Sequence, residues 1–296
     1  KATLFIRKYG RQHVVDMDLS KCFDKLDHEL IVNSVRARVT DGSILKLLRK
    51  ILTSGVMIEG KVESTAVGSP QGGVISPLLA NIYLDAFDQK MMKRNHRIVR
   101  YADDILILCG SAKAASHARQ VATEILENEL KLQVNGEKTH IAHSDEGVKF
   151  LGVEIGRRYT RIQRKKIVNL KRRLRELTRR NGGKPMSVVL KALNPVLRGF
   201  GQYFQIANCS REFKALAMWI RRRLRSIQLR LWKKPGRLHR RLKQLNYKPP
   251  FQSVNMCRWS TSRSPLASYA MPNKWFEEQG LFPIDQLRTG VLSQNY

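Results

Sequence analysis

Three carboxylates on two apolar segments carry the clearest chemistry in this chain. His13–Asp18 reads HVVDMD and Ile98–Cys109 reads IVRYADDILILC, so Asp18 closes the first segment and Asp103 and Asp104 sit side by side in the second. An Asp at a hairpin turn is ordinary, because it tolerates unusual backbone angles and bonds to its own chain. Two features argue for more here. The runs around Asp103 and Asp104 are too apolar for a solvent-exposed ribbon, and Asp16 and Asp18 interleave a second apolar strand upstream. Carboxylates gathered on buried strands repel one another unless a cation lies among them. An all-oxygen donor set favours magnesium, which keeps waters and takes substrate phosphates as further ligands. Two magnesium ions held by Asp18 and Asp103, with Asp104 helping to position them, suit phosphoryl transfer: one lowers the pKa of an attacking hydroxyl and the other holds leaving phosphates. By spacing alone, a nuclease and a polymerase both fit.

The elements that must position these acids follow from pattern. His13–Asp18 and Ile98–Cys109 are predicted as a strand and a hairpin, the latter turning at Asp103 and Asp104. Asp27 precedes a helical stretch over His28–Val39, and Asp41 caps a helix reaching Leu52 whose apolar face holds Ile44, Leu45, Leu47 and Leu48. Val56–Thr65 alternates like a hairpin turning at Glu59 and Gly60. The stretch GSPQGGVISPLLANIYLD (68–85) opens as a Gly/Pro loop and becomes a helix near Ser76, with Pro77 in its first turn. Ala112–Leu130 is an amphipathic helix, NGEKT (135–139) is a turn carrying Lys138, and Val148–Ile155 is a strand containing Gly152. Strands and helices interleave irregularly, which predicts an α+β sheet with helices on one face.

Composition divides the chain. The formal charge is +31. Residues 1–156 are nearly balanced, with 22 basic and 19 acidic side chains, whereas Arg157–Lys248 holds 29 of the 55 basic residues and only two acids, Glu176 and Glu212. A charge of this size and sign predicts a polyanionic partner. The basic stretch reads as helices: Gln163–Arg180 with an Ile167, Leu170, Leu174 and Leu177 stripe; Ser187–Phe204, interrupted near Asn194-Pro195 and Gly199–Gly201; and Ser210–Trp232, capped by Ser210. In the last of these, Arg221, Arg222, Arg223, Arg225 and Arg230 are expected off the core face. Arg172, Arg173, Lys233 and Lys234 add to this surface, and the expected role of the whole set is phosphate binding. The organisation expected is a catalytic unit over 1–156, a helical nucleic-acid-holding unit over 157–234, and a basic C-terminal DNA/RNA-binding-like segment over 235–296. The four cysteines lack metal or disulfide spacing, which makes a reduced intracellular protein the default. No apolar run approaches a membrane span. The chain begins at Lys1 and runs almost directly into a strand, so it reads as a fragment or a product missing upstream sequence.

Resemblance decides between nuclease and polymerase. DMDLSKCFD at 16–24, SPQGG at 69–73 and YADD at 101–104, in this order, resemble a reverse transcriptase. FDKLDHELI (23–31), SPLLANIYLD (76–85), RYADD (100–104), NGEKT (135–139) and FLG (150–152) are similar to the group II intron-encoded reverse transcriptase/maturases. LRGFGQYF (197–204) resembles their thumb or maturase region, and SPLASYAMPNKWFEEQGLF (264–282) resembles the tail of bacterial members. The resemblance implies a palm followed by an α-helical thumb/maturase domain, with fingers largely missing upstream, and a parent of the endonuclease-lacking bacterial type. It implies that Asp18, Asp103 and Asp104 are the catalytic, magnesium-binding triad and that Lys138 assists pyrophosphate departure. Phe23 is expected under the incoming sugar, Gln71 and Gly72 along the nascent base pair and template, Tyr101 beside the substrates, and Phe150, Leu151 and Gly152 in a primer grip. The implied partners are an RNA template with a DNA primer, deoxynucleoside triphosphates, group II intron RNA and a DNA target, in a bacterial cytoplasmic, nucleoid-associated ribonucleoprotein. Two rival readings come with it: a splicing maturase fragment without polymerase activity of its own, and a related retron or phage-defence reverse transcriptase.

Overall fold

The computed structural model describes residues 1–54, 56–58, 61–63, 68 and 73–290. The chain forms two compact units, Lys1–Phe150 with Ile155–Arg158, and Leu151–Glu154 with Tyr159–Tyr296.

The first unit is built on a four-stranded antiparallel sheet. Its elements are α1 (Ala2–Lys8), β1 (His13–Met17), α2 (His28–Arg36), α3 (Gly42–Thr53), β2 (Val56–Ile58), β3 (Lys61–Glu63), α4 (Ser76–Lys93), β4 (Arg97–Tyr101), β5 (Asp104–Cys109), α5 (Ala112–Glu124), β6 (His140–His143) and β7 (Val148–Phe150). Strand order is β4-β5-β1-β6, which puts the two acid-bearing strands side by side at the centre. Every residue from Ile105 to Cys109 is buried, so β5 reads as an unbroken apolar run rather than an alternating one. Val15, Met17, Ile105, Ile107 and Cys109 join Tyr83, Phe87 and Met91 of α4 and Ala115, Ala118 and Ala122 of α5 in one core. Alternation sends Val14, Leu106 and Leu108 to the other face, where they are also buried.

Local chemistry sets the helix starts. The Asp27 carboxylate accepts from the Glu29 and Leu30 N–H groups and starts α2, while Asp41 accepts from Ser43 and Ile44 and starts α3. In α3 the residues facing the core are Leu45, Leu48 and Leu52, while Ile44 and Leu47 stay exposed. This narrows the expected apolar face to a strict i, i+3, i+7 stripe. The helix after Ser111 does not continue regularly to Leu130: α5 ends at Glu124 and one π-turn covers Ile125–Glu129. β2 and β3 pair antiparallel as expected, and their turn at Glu59 and Gly60 lies outside the described residues.

The elements that follow are β8 (Val153–Ile155), β9 (Thr160–Ile162), α6 (Arg164–Leu177), α7 (Met186–Phe204), α8 (Ser210–Trp232), α9 (Pro235–Gln244), α10 (Pro265–Ala270) and α11 (Asn273–Glu278). The predicted single strand over Val148–Ile155 is two strands, β7 and β8, joined at Leu151 and Gly152. Both turn residues have positive φ, 46° and 83°, the signature of a two-residue type I′ hairpin. The expected interruption of the helix at Pro195 and Gly199–Gly201 is corrected: α7 runs continuously through all of them. Here packing outweighs local propensity. A Cβ on Gly201 would meet Leu287 Cδ1 at 2.5 Å, so the glycine is where the 284–287 turn closes on the helix. Asn194 bonds both Gly280 O and Phe282 N, holding the same C-terminal stretch. The cap of α8 is Cys209 rather than Ser210, with no side-chain hydrogen bond.

The architecture is α+β, with the sheet in the first unit and a predominantly helical second unit.

Candidate active site

The register of β1 on β5 brings the acids together. Met17 pairs with Ile105, so Asp18 and Asp104 occupy the next positions of two adjacent strands. Tyr101 pairs with Asp104, which leaves Ala102 and Asp103 as the two turn residues. The turn thus lies one residue earlier than the sequence predicts, and Asp104 belongs to the strand. Ala102 holds a left-handed backbone, φ 54°, which closes this tight turn. Partial burial raises the Asp104 carboxyl above its ordinary range, reinforced by the charges of Asp103 and Asp18. Burial likewise raises Asp16, with Asp104 and Asp18 adding to it and His140 opposing. Asp104 therefore feels the charge of the other three carboxylates.

The loop after the π-turn docks beside Asp18. Asn135 N–H donates to Asp18 O at 2.9 Å, Ser20 N–H to Gln133 O at 2.9 Å, and Leu19 bridges Val134. Thr139 is buried, and its hydroxyl accepts from Asp18 N–H at 3.2 Å. Asn135 Oδ1 accepts from the N–H groups of Glu137 and Lys138, forming an Asx turn. That turn carries the Lys138 ammonium to 3.4 Å from Asp18 Oδ2, with its own side chain still 68% exposed.

A guanidinium clamps the turn from the other side. Arg100 Nε and Nη2 grip Asp88 at 2.9 and 2.6 Å, and Nη1 donates to Asn81 Oδ1 at 2.9 Å and to Ala102 O at 3.0 Å. One residue of β4 therefore bonds two residues of α4 and the carbonyl inside the acid-bearing turn. Asn81 and Asp88 were not singled out from sequence; their spacing of seven, which puts both on one face of α4, was the available signal.

Phe23 lies in a 3-10 turn, Cys22–Lys25, half-buried against the core. Burial pushes the Cys22 thiol up to about 12, with the nearby Asp103 adding to the shift and Arg100 opposing it. Gly68 is locked to the same segment. Its N–H donates to Leu26 O at 2.8 Å, and its carbonyl lies 2.6 Å from His28 Nε2. A Cβ at Gly68 would sit 2.6 Å from Asp24 O, on a backbone with φ 92°. Gln71 and Gly72 lie outside the described residues. Tyr101 is exposed at the hairpin end. Phe150 is buried, and Leu151 and Gly152 make the β7–β8 turn, where Leu151 O accepts from Tyr203 OH at 3.0 Å.

The donors fit a hard divalent cation by chemistry: they are carboxylates only, they come from the end of β1, the start of β5 and the turn before it, and their charges act on one another at Asp104, with the Lys138 ammonium 3.4 Å from Asp18. Among the described residues no group of three His, Cys, Asp or Glu side chains converges as a finished metal cage.

The expected phosphate-binding arginines divide by environment. Arg172, Arg173, Arg230, Lys233 and Lys234 are exposed. Arg221 corrects the expectation that it lies off the core: it is 3% exposed, grips Asp285 at 2.8 and 3.0 Å and reaches Glu277 at 3.6 Å. Arg225 donates to Met271 O and Asn273 Oδ1. Arg222 stacks over Trp259, which also lies beside Arg223, and Arg223 and Arg175 flank Trp219. These α8 arginines receive the segment 255–285, a use that charge counting cannot reveal.

No helix among the described residues is long and apolar enough to cross a membrane. The family model for reverse transcriptase (RNA-dependent DNA polymerase) matches residues 3–155, and that for the group II intron maturase-specific domain matches residues 167–246. Protein YkfC of Escherichia coli (strain K12) is 33% identical over 190 residues, 53% of this chain and 50% of that protein. Group II intron-encoded protein LtrA of Lactococcus lactis subsp. cremoris is 25% identical over 210 residues, 49% of this chain and 35% of that protein. The solved apo telomerase from Candida Tropicalis is 12% identical, with a TM-score of 0.48 over 93% of this chain and 49% of that one. The chain spans half or less of the length of these relatives. With its acid-bearing hairpin inside the first matched region and its basic helices inside the second, the chain belongs to the reverse transcriptase family, among the group II intron-encoded reverse transcriptase/maturases.

Proposed function

We propose that this chain carries out RNA-directed DNA synthesis and holds group II intron RNA for splicing and mobility. The observation that supports this most is that Asp18, at the end of β1, meets Asp104 at the start of β5 and Asp103 in the turn before it, with Lys138 alongside. In this reading residues 1–156 are the palm, 157–234 the thumb/maturase domain and 235–296 a further DNA/RNA-binding segment. Asp18, Asp103 and Asp104 would hold two magnesium ions. The chemistry such ions would supply is a lowered pKa of the primer 3′-hydroxyl and neutralisation of the leaving pyrophosphate.

The protein's own groups orient and protonate. Arg100 fixes the hairpin, so the two acids meet the substrate at one set position. The Lys138 ammonium sits where it can give a proton or a positive charge to pyrophosphate as it departs. Phe23 lies under the sugar of a deoxynucleoside triphosphate and excludes a 2′-hydroxyl, and the proposed role of Gln71 and Gly72 is to read the nascent base pair and template. Tyr101 stands at the open hairpin end. Phe150, Leu151 and Gly152 hold the primer strand. The exposed Arg172, Arg173, Arg230, Lys233 and Lys234 contact nucleic-acid phosphates, while Arg221, Arg222 and Arg225 hold the tail that covers α8. A DNA target and a bacterial nucleoid-associated ribonucleoprotein complete the reading.

Magnesium-dependent extension of a DNA primer on an RNA template tests it. The expected result is extension with deoxynucleotides and little with ribonucleotides. Tight, salt-sensitive RNA binding without any extension would overturn the polymerase reading and leave a splicing maturase.

A further inference from the structure

A concave site lies wholly within the helical unit. The end of α6, the loop over 178–185, the start of α7 and the end of α8 enclose a cavity of about 610 Å³. That volume is in the range of small-molecule pockets, about 300–1,000 Å³. Its wall is apolar: Val188, Val189, Ala192, Ile227 and Leu231. Its edge is cationic, with Arg179, Lys184, Arg230 and Lys233 all exposed and none paired with a carboxylate among the described residues. The acid on this edge, Glu176, is already engaged by Arg173 at 3.3 Å.

These features select a ligand class. A cavity for a neutral apolar molecule does not need four unneutralised cations at its mouth, because their mutual repulsion costs stability. A flat phosphate-binding surface does not need an apolar recess. A nucleotide has both parts: a π-face that packs on aliphatic or guanidinium planes, and phosphates that pair with Arg and Lys. Proteins that read RNA take unpaired bases out of the stack in this way.

We propose that this cavity holds one unpaired nucleotide of the bound RNA, with its base against Val188 and Ala192 and its flanking phosphates at Arg179, Lys184 and Lys233. The assignment rests on the RNA-holding reading above. It gives that reading a structural preference, for bulged or looped RNA over continuous duplex.

The test compares three RNA hairpins by fluorescence anisotropy with the full chain. One is fully paired, one carries a single bulged adenosine, and one carries an abasic bulge. The wild type should bind the adenosine bulge about tenfold tighter than the other two, the scale of taking the apolar face of one base out of water. Val188→Trp and Ala192→Trp fill the recess from exposed positions on α7, so the fold is spared. Each should bring the adenosine bulge down to the affinity of the paired hairpin, whose own affinity stays unchanged. Equal binding of all three hairpins by the wild type, or a bulge preference that survives both substitutions, would overturn the proposal. Loss of salt-sensitive binding to every hairpin would overturn the RNA-holding reading as well, and so identifies that failure separately.

Discussion

Arg100 binds the acid-bearing turn to α4 through four side-chain hydrogen bonds and one to Ala102 O. Its guanidinium fork matters as much as its charge, since a lysine cannot span Asp88, Asn81 and the turn carbonyl together. Arg100→Lys is therefore expected to lower the extension rate about tenfold with the KM for primer–template unchanged, and Asn81→Ala should reproduce part of that loss. Arg100→Ala should also cost about 2–3 kcal/mol in urea unfolding, because Asp88 loses charge-assisted bonds. A KM effect without a rate effect would contradict the positioning role. Asp27 offers a stability test at the same scale. The Lys131 ammonium at 2.6 Å and the Leu30 N–H hold its carboxyl below the usual carboxylate range. A depressed folded pKa stabilises above the unfolded value, about 3.9, and that stabilisation fades as pH falls through the folded pKa. Asp27→Ala should thus cost about 1 kcal/mol near pH 7. The gap to wild type should narrow below about pH 4 when unfolding midpoints are compared.

Elements were legible in the sequence where residue type and period agreed. The strands carrying Asp18 and Asp104, the caps at Asp27 and Asp41 and the stripe of α8 all follow from alternation, capping chemistry and a 3.6-residue period. Elements set by distant partners were not. Pro195 and Gly201 argue locally for a broken helix, yet α7 is continuous because the 284–287 turn closes on it. Leu151 and Gly152 sit inside an apolar run that reads as one strand, and only their backbone angles reveal the turn. Arg221 reads as solvent-facing because the acid that buries it, Asp285, lies 64 residues away. The helix α1 was missed because its seven residues carry too short a pattern to register. Among the candidate site residues, the acids were legible by type and Lys138 only through the family resemblance, whereas Arg100, Asn81 and Thr139 needed the three-dimensional contacts. Gly68 shows how tightly the elements close around the site. Gly68→Ala would put a methyl 2.6 Å from Asp24 O on a left-handed backbone, and should destabilise the chain by about 1–3 kcal/mol in chemical denaturation. A neutral effect would show that this loop is free to move away from Asp24.

At the scale of the molecule, charge separates the two tasks. Residues 1–156 are nearly neutral in sum, and Arg157–Lys248 carries the excess. Reversing Arg172, Arg230 and Lys233 to Glu should weaken RNA binding by a similar factor for every sequence and flatten its salt slope by about one unit per lost phosphate contact. Arg221→Glu should act differently, unfolding the tail by setting three acids together, which circular dichroism would register. The central claim is that synthesis resides in the acid-bearing hairpin while RNA holding resides in the helical unit. The most direct measurement uses one preparation of the Asp103→Ala/Asp104→Ala chain, assayed for primer extension and for salt-dependent RNA binding beside the wild type. Extension should fall by at least about 10³-fold, the scale of losing charge stabilisation at a reacting centre, with RNA affinity and salt slope unchanged. Extension that persists in this variant, or RNA binding that falls with it, would contradict the account.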